Sequence, residues 1–331
     1  MRRAFIIALV VGVLVALSVR EYRLHHQHNT EEAFIGQRGA TVWNSTAEIR
    51  TPVANLNYGE RVQIHQHYAH EALVSTASGI RGWVSSASLM DPDLWHSATV
   101  LAKSAEDLPV QASGHTRARA NLHTQPGAAS PVILQAPADS QLVVFQHALS
   151  AEPPKSGTSS PNAEDWWLVR ADVKNAGSIT GWALGRLLKF DLPEPLSGYE
   201  SSEGIHVVAW FKINRTLDSA SQTYRPEYLV AGNRQRDAAC DFTLLRVYTW
   251  SSVRNRYETA FMDSRVCGKL PVQVTPAKLP SDDAYFSFDN LGAAGTEKRT
   301  YRMRLTTVRR IDASNTVRDA SKSARAGRDH T

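Results

Sequence analysis

The residues whose types and spacing could do chemistry are two cysteines, Cys240 and Cys267, and two histidine clusters. A thiolate beside a histidine is a nucleophile, whereas two thiols in an oxidising compartment make a disulfide. The surroundings favour the second reading. Asp241–Trp250 and Arg256–Val266 read as strands flanking the turn Ser251–Asn255. With Trp250 opposite Tyr257 and no bulge, the same register sets Cys240 opposite Cys267, within disulfide reach. Two buried free thiols are the alternative. His206 is the one histidine between residues 203 and 311, which leaves a Cys–His nucleophile poorly supplied, and we expect no enzyme. The other clusters are His65, His67 and His70 in HQHYAH and His25, His26 and His28 in HHQH. His65 and His67 share a strand face, as two metal-binding imidazoles would. No cysteine or carboxylate stands at matching spacing, and the alternation turns both to solvent, so no metal and no cofactor is expected.

The elements that would carry these residues repeat. Val42–Leu56 matches Asn121–Gln135 in shape when Pro52 is set on Pro131, which puts Val42-Trp43 on Asn121-Leu122. Downstream, Gly59–Ile64 resembles Asp139–Phe145, and Ala72–Met90 resembles Trp166–Lys189. Each copy carries a Gly-Trp pair, Gly82-Trp83 and Gly181-Trp182, with a leucine six residues beyond the tryptophan, Leu89 and Leu188. Val62 and Ile64 alternate with Gln63 and His65, the pattern of a half-buried strand. The second copy is split by a Pro- and Ser-rich insertion, Ser150–Asp165, which reads as a surface loop. Between the copies Asp91 reads as an N-cap, Pro92 as the first helical residue, and Leu94, Val100 and Leu101 as an apolar stripe. After Gly204 the repeat is lost. Ile205–Ile213, Ala284–Phe288 and Thr300–Ile311 read as strands of an antiparallel domain, sandwich or open barrel.

These motifs resemble bacterial SH3-like domains, above all ANLHTQPGAASPVI, WWLVRA and GWALGRLL of the second copy. The first copy departs from that pattern in its loop NSTAEIRTP and in carrying Ala72 where Trp167 stands. The whole order also resembles membrane-anchored SH3-domain proteins of bacteria, through LPVQASGHTRARANLHTQPG, GIHVVAWFKINRTLD and FTLLRVYTWSSVRNRYETAF. The resemblance implies two small five-stranded barrels and a peptide or envelope ligand, and it names no activity. Trp83 and Trp182 are then core residues or groove residues. Trp166 and Trp167 point to opposite faces of one strand; by alignment with the first copy Trp167 takes the core slot, which leaves Trp166 as the groove candidate. Trp166, Trp182 and Trp83 are therefore the candidate ligand-binding residues.

The N-terminal Met1-Arg2-Arg3 precedes the uncharged run Ala4–Val19, an export signal. An uncleaved anchor is favoured, and cleavage after Ala16-Leu17-Ser18 would instead release the body as a secreted protein. The formal net charge is +5, and Arg2, Arg3 and the tail from Arg309 carry all of the excess. The body needs no basic face, which argues against nucleic acid as a partner.

The expectation is a mainly β protein in six parts. Residues 1–22 form a transmembrane anchor, 34–92 and 109–193 the two SH3-like domains, and 93–108 a helical linker. Residues 203–311 form the C-terminal β domain and 312–331 a disordered tail. It sits in the cytoplasmic membrane by a single span, its body exported to the periplasm or cell surface, and its domains bind peptidoglycan peptides or envelope proteins. The alternatives are an assembly scaffold whose C-terminal domain recognises a protein partner, and a degenerate wall hydrolase.

Overall fold

The computed structural model describes residues 31–151, 163–234 and 240–311. The run Ala4–Val19, the histidines at 25, 26 and 28, most of the insertion and the tail beyond Ile311 lie outside the described residues. Among the described residues the chain is mainly β, in four antiparallel sheets, and no helix is long and apolar enough to cross a membrane. It separates into two compact units. Residues up to Ser97, with 174–176, form the first, and the second runs from Ala98 onward.

The first unit is a seven-stranded sheet built from β1 (Glu31–Ile35), β2 (Ala40–Trp43), β3 (Pro52–Leu56), β4 (Arg61–Tyr68), β5 (Glu71–Thr76), β6 (Arg81–Ser85) and β7 (Leu89–Met90). Alternating side chains collect on one side as its core, with Ile35, Val42, Leu56, Val62, Ala72, Val74 and Val84 almost fully buried. Burying each of the larger aliphatic side chains contributes about 1.5–3 kcal/mol. Val62 and Ile64 face inward and Gln63 and His65 outward, as the alternation requires. A helix, α1 (Pro92–Ser104), begins where Asp91 Oδ1 accepts the Leu94 N–H at 2.8 Å, the side-chain cap expected of that aspartate. Trp95 in its first turn stacks on Phe34 at 4.9 Å and lies against Tyr58. Val100 does not join the apolar stripe; it is exposed, and Ala98 is the buried residue of the helix.

The second unit opens with β8 (Ala112–Thr116), β9 (Ala120–His123), β10 (Val132–Ala136), β11 (Gln141–Ala151), β12 (Ala163–Val173), β13 (Gly177–Leu184) and β14 (Leu188–Asp191). The strand order is that of the first sheet, β3-β2-β6-β5-β4-β1-β7 becoming β10-β9-β13-β12-β11-β8-β14. The registers fix the equivalences. His67 pairs with Ala72 as His147 pairs with Trp167, and Leu73 pairs with Trp83 as Leu168 pairs with Trp182. The sequence alignment of the opening loops is corrected by one residue. Trp43 pairs with Pro52 as His123 pairs with Val132, and both copies carry a bulge there. Leu101, Ala105 and Leu108, at the end of α1 and just beyond it, cover Phe145, Leu168 and Trp182 on the outer side of this sheet.

After α2 (Glu194–Glu203) come two four-stranded meanders. One holds β15 (His206–Asp218), β16 (Thr223–Asn233), β17 (Leu244–Ser251) and β18 (Arg256–Asp263); the other β19 (Gly268–Thr275), β20 (Asp283–Gly292), β21 (Gly295–Arg304) and β22 (Thr307–Ile311). An aromatic pair joins them: Phe261 of the first meets Tyr301 of the second at 5.8 Å, and Phe286 stacks on Tyr301 at 5.1 Å within the second. The expected single strand Thr300–Ile311 is instead two, because Leu305 takes a positive φ of 52° in a turn and stands exposed.

Cys240 and Cys267 are bonded, with their Cα atoms 4.8 Å apart. Trp250 does oppose Tyr257, but a bulge between Val247 and Tyr248 breaks the strict register. The cysteines meet just outside the strands, next to the bridge between Phe242 and Gly268.

Candidate binding site

In the first unit the outer side of the sheet presents a group of rings. Trp43 on β2 lies directly opposite Trp83 on β6, and both are half-buried. Gly82 makes this approach possible, since a Cβ there would stand 2.5 Å from the Trp43 carbonyl oxygen. Tyr68, at the end of β4 and 59% exposed, meets Trp83 edge-on with ring centroids 6.3 Å apart. The β2–β3 loop is closed by reciprocal bonds of Asn44 and Thr51. The Asn44 N–H donates to the Thr51 carbonyl at 3.2 Å, and the Thr51 N–H to Asn44 Oδ1 at 3.1 Å. That closure holds up Ile49, 94% exposed, and Arg50. The Arg50 guanidinium lies 4.5 Å over the Trp43 ring and is bonded to the Glu71 carboxylate. Flat rings with a stacked guanidinium suit an extended peptide, which buries apolar side chains on the rings and places polar groups at the rim.

The equivalent positions of the second sheet are closed. His123 replaces Trp43, Trp166 replaces Glu71, and the two rings pack edge-on at 5.1 Å. The expectation that Trp166 stands in an open groove is corrected, since Trp166 is 2% exposed. The hairpin of the second sheet is also longer. β4 and β5 turn at Ala69, but β11 and β12 run on to Ala151 and Ala163, and that arm passes beside the β9–β10 loop. A Cβ on Gly127 in that loop would lie 3.1 Å from Ser150 Oγ. Trp182 is half-buried beneath Leu101 and Leu108. Of the three tryptophans expected to bind ligand, only Trp83 lies beside exposed rings, and Trp43, Tyr68 and Arg50 had not been singled out. Tandem Trp43 and Trp83 one strand apart was the signal available, and a one-residue slip in the alignment hid it.

His65 binds Ser75 Oγ at 2.7 Å and His67 lies 3.4 Å from Glu31, both exposed. Among the described residues no group of three histidine, cysteine or acidic side chains is placed to hold a metal ion. His206 is exposed on β15.

A buried polar cluster escaped the sequence reading. His147 on β11 sits between Asp241 and Asp165, and Trp167 lies 4.5 Å from its ring. Burial works against the imidazolium, but the two carboxylates outweigh it and hold the His147 pKa above the ordinary value. Burial likewise opposes the Asp241 carboxylate, yet bonds from His147, the Leu270 N–H and Lys269 keep its pKa low.

No family model matches the chain, and no curated protein is similar to it. Solved structures give low similarity. NlpC2 from Trichomonas vaginalis is 9% identical, with 86% of this chain and 97% of that one covered and a TM-score of 0.18. An NlpC/P60 family protein from Bacillus cereus is 11% identical, with 69% and 93% covered and a TM-score of 0.21.

Proposed function

We propose that this is a non-enzymatic envelope protein, exported and held in the cytoplasmic membrane by residues 4–19. In this reading two SH3-like modules and a C-terminal β domain stand outside the membrane, and the first module binds an extended peptide of the cell wall or of an envelope protein. The observation that carries it is the cluster of Trp43, Trp83 and Tyr68 with Arg50 stacked at its rim, on an outer face whose counterpart in the second module is filled. The disulfide consumes both thiols, which supports binding over Cys-based hydrolysis. The test is sedimentation of the detergent-solubilised full chain with purified peptidoglycan sacculi at low and physiological salt. Sedimentation that survives physiological salt supports a wall ligand; a chain that stays in solution at both salts refutes one.

The C-terminal domain offers a second reading, as a scaffold contacting a protein partner. Leu217 and Tyr224 face each other across β15 and β16, both well exposed, and the adjoining turn carries the fully exposed Val253. The two turns are tied by the Ser219 N–H donating to Ser252 Oγ at 3.1 Å.

A further inference from the structure

The second module and the C-terminal sheets are joined by charges that close on one another. The His147 side chain is 8% exposed; its Nδ1 lies 3.0 Å from Asp241 Oδ1 and its Nε2 3.2 Å from Asp165 Oδ1. Asp241, 4% exposed, also accepts from Lys269 Nζ at 3.0 Å and from the Leu270 N–H at 2.8 Å. A neutral imidazole has one N–H and would turn a lone pair toward one of the carboxylates; only the doubly protonated ring satisfies both. We propose that His147 is a proton-operated latch, holding the second module to the C-terminal sheets while its ring is charged and loosening that joint when the ring loses its proton.

The groups facing the ring are few. β12 supplies Asp165 and the Trp167 ring, and neighbouring Glu164 is bound to Arg186 at 3.0 Å. The segment before β17 supplies Asp241, and β19 supplies Lys269. With the ring charged, both of its N–H groups meet a carboxylate; without its proton, one carboxylate meets a lone pair instead. The remaining bonds of the joint do not titrate. Gln111, fully buried, accepts from the Val272 N–H at 2.7 Å and donates back to its carbonyl at 3.2 Å, and Trp210 Nε1 donates to the Asp191 carbonyl at 3.1 Å. They keep the two parts attached, so the loosening is confined to the stretch around Asp241 and Lys269.

The direction follows from linkage. A ring whose folded pKa is raised contributes its full stabilisation below the unfolded-chain value of about 6.5, and loses it as pH rises through the folded value. The test uses the full chain in detergent with its disulfide intact. Hydrogen exchange of residues 267–272, corrected for the intrinsic pH dependence, is followed from pH 6 to 10. Wild-type protection should hold flat below about 6.5, fall by up to tenfold per pH unit between that value and the folded pKa, the slope of one linked proton, and level off above it. His147→Gln should remove the pH dependence, and Asp165→Asn should move the midpoint down. Protection that is flat throughout in the wild type, or equally sloped in His147→Gln, overturns the latch. Because the variant could fail to fold, the wild-type His147 ring is also titrated by NMR. A midpoint above 6.5 supports the proposal, and one at or below it refutes it whatever the variants do. The proposal stands apart from any ligand of the first module.

Discussion

Trp83 and Trp166 hold equally suggestive places in the sequence and different places in space. Trp83 sits among half-buried and exposed rings, so Trp83→Ala should weaken ligand binding by tenfold or more while leaving the far-ultraviolet circular dichroism unchanged. Trp166, on β12, is packed edge-on against His123 and almost fully buried. Trp166→Ala should therefore cost about 3–5 kcal/mol of stability, read from urea unfolding, with no selective loss of binding in the folded fraction. The glycines ahead of the tryptophans are bound to their places by contact. A Cβ on Gly82 would meet the Trp43 carbonyl oxygen at 2.5 Å, and one on Gly181 would meet Leu122 Cβ at 2.8 Å. Either glycine-to-alanine change should lower stability by about 1–3 kcal/mol in the same measurement. The tight approach at Gly-Trp was legible in the sequence because it rests on two adjacent residues. The burial of Trp166 was not, because alternation says that neighbours face apart and cannot say that both faces are covered. His147 was illegible for a similar reason: Asp241 is distant in sequence, and nothing near His147 announces it.

At the scale of elements, the repeat was the strongest signal, and the two sheets share one strand order. Its details failed where a single residue matters. The bulges in β3 and β10 and the turn at Leu305 each change a register without changing the hydrophobic pattern enough to be read. The α1 start was legible because a cap is local, and Asp91→Ala should cost about 1 kcal/mol in thermal unfolding. The disulfide was legible although its register argument was broken by a bulge, since antiparallel strand polarity already brought both cysteines to one end of the hairpin. It spans 27 residues, so reducing it should remove about 3–4 kcal/mol by the chain-entropy estimate and shift the urea midpoint accordingly.

At the scale of the molecule, two sheets of one strand order differ in their outer faces. One module keeps the exposed Tyr68 beside half-buried Trp43 and Trp83 on its outer face; in the other, the helix end packs over that face, His123 and Trp166 close on one another, and the charged joint at His147 ties the module to the C-terminal sheets. Binding should then follow the first module alone, even though both carry the Gly-Trp pair. The measurement that decides this is the dissociation constant for sacculi, taken by sedimentation for the full chain, for Trp43→Ala and Trp83→Ala in the first module, and for Trp182→Ala in the second. Circular dichroism confirms that each is folded. Loss of binding by tenfold or more in the two first-module variants, with Trp182→Ala unchanged, is the predicted result. Equal loss in all three, or a loss confined to Trp182→Ala, would contradict the assignment of the ligand to the first module.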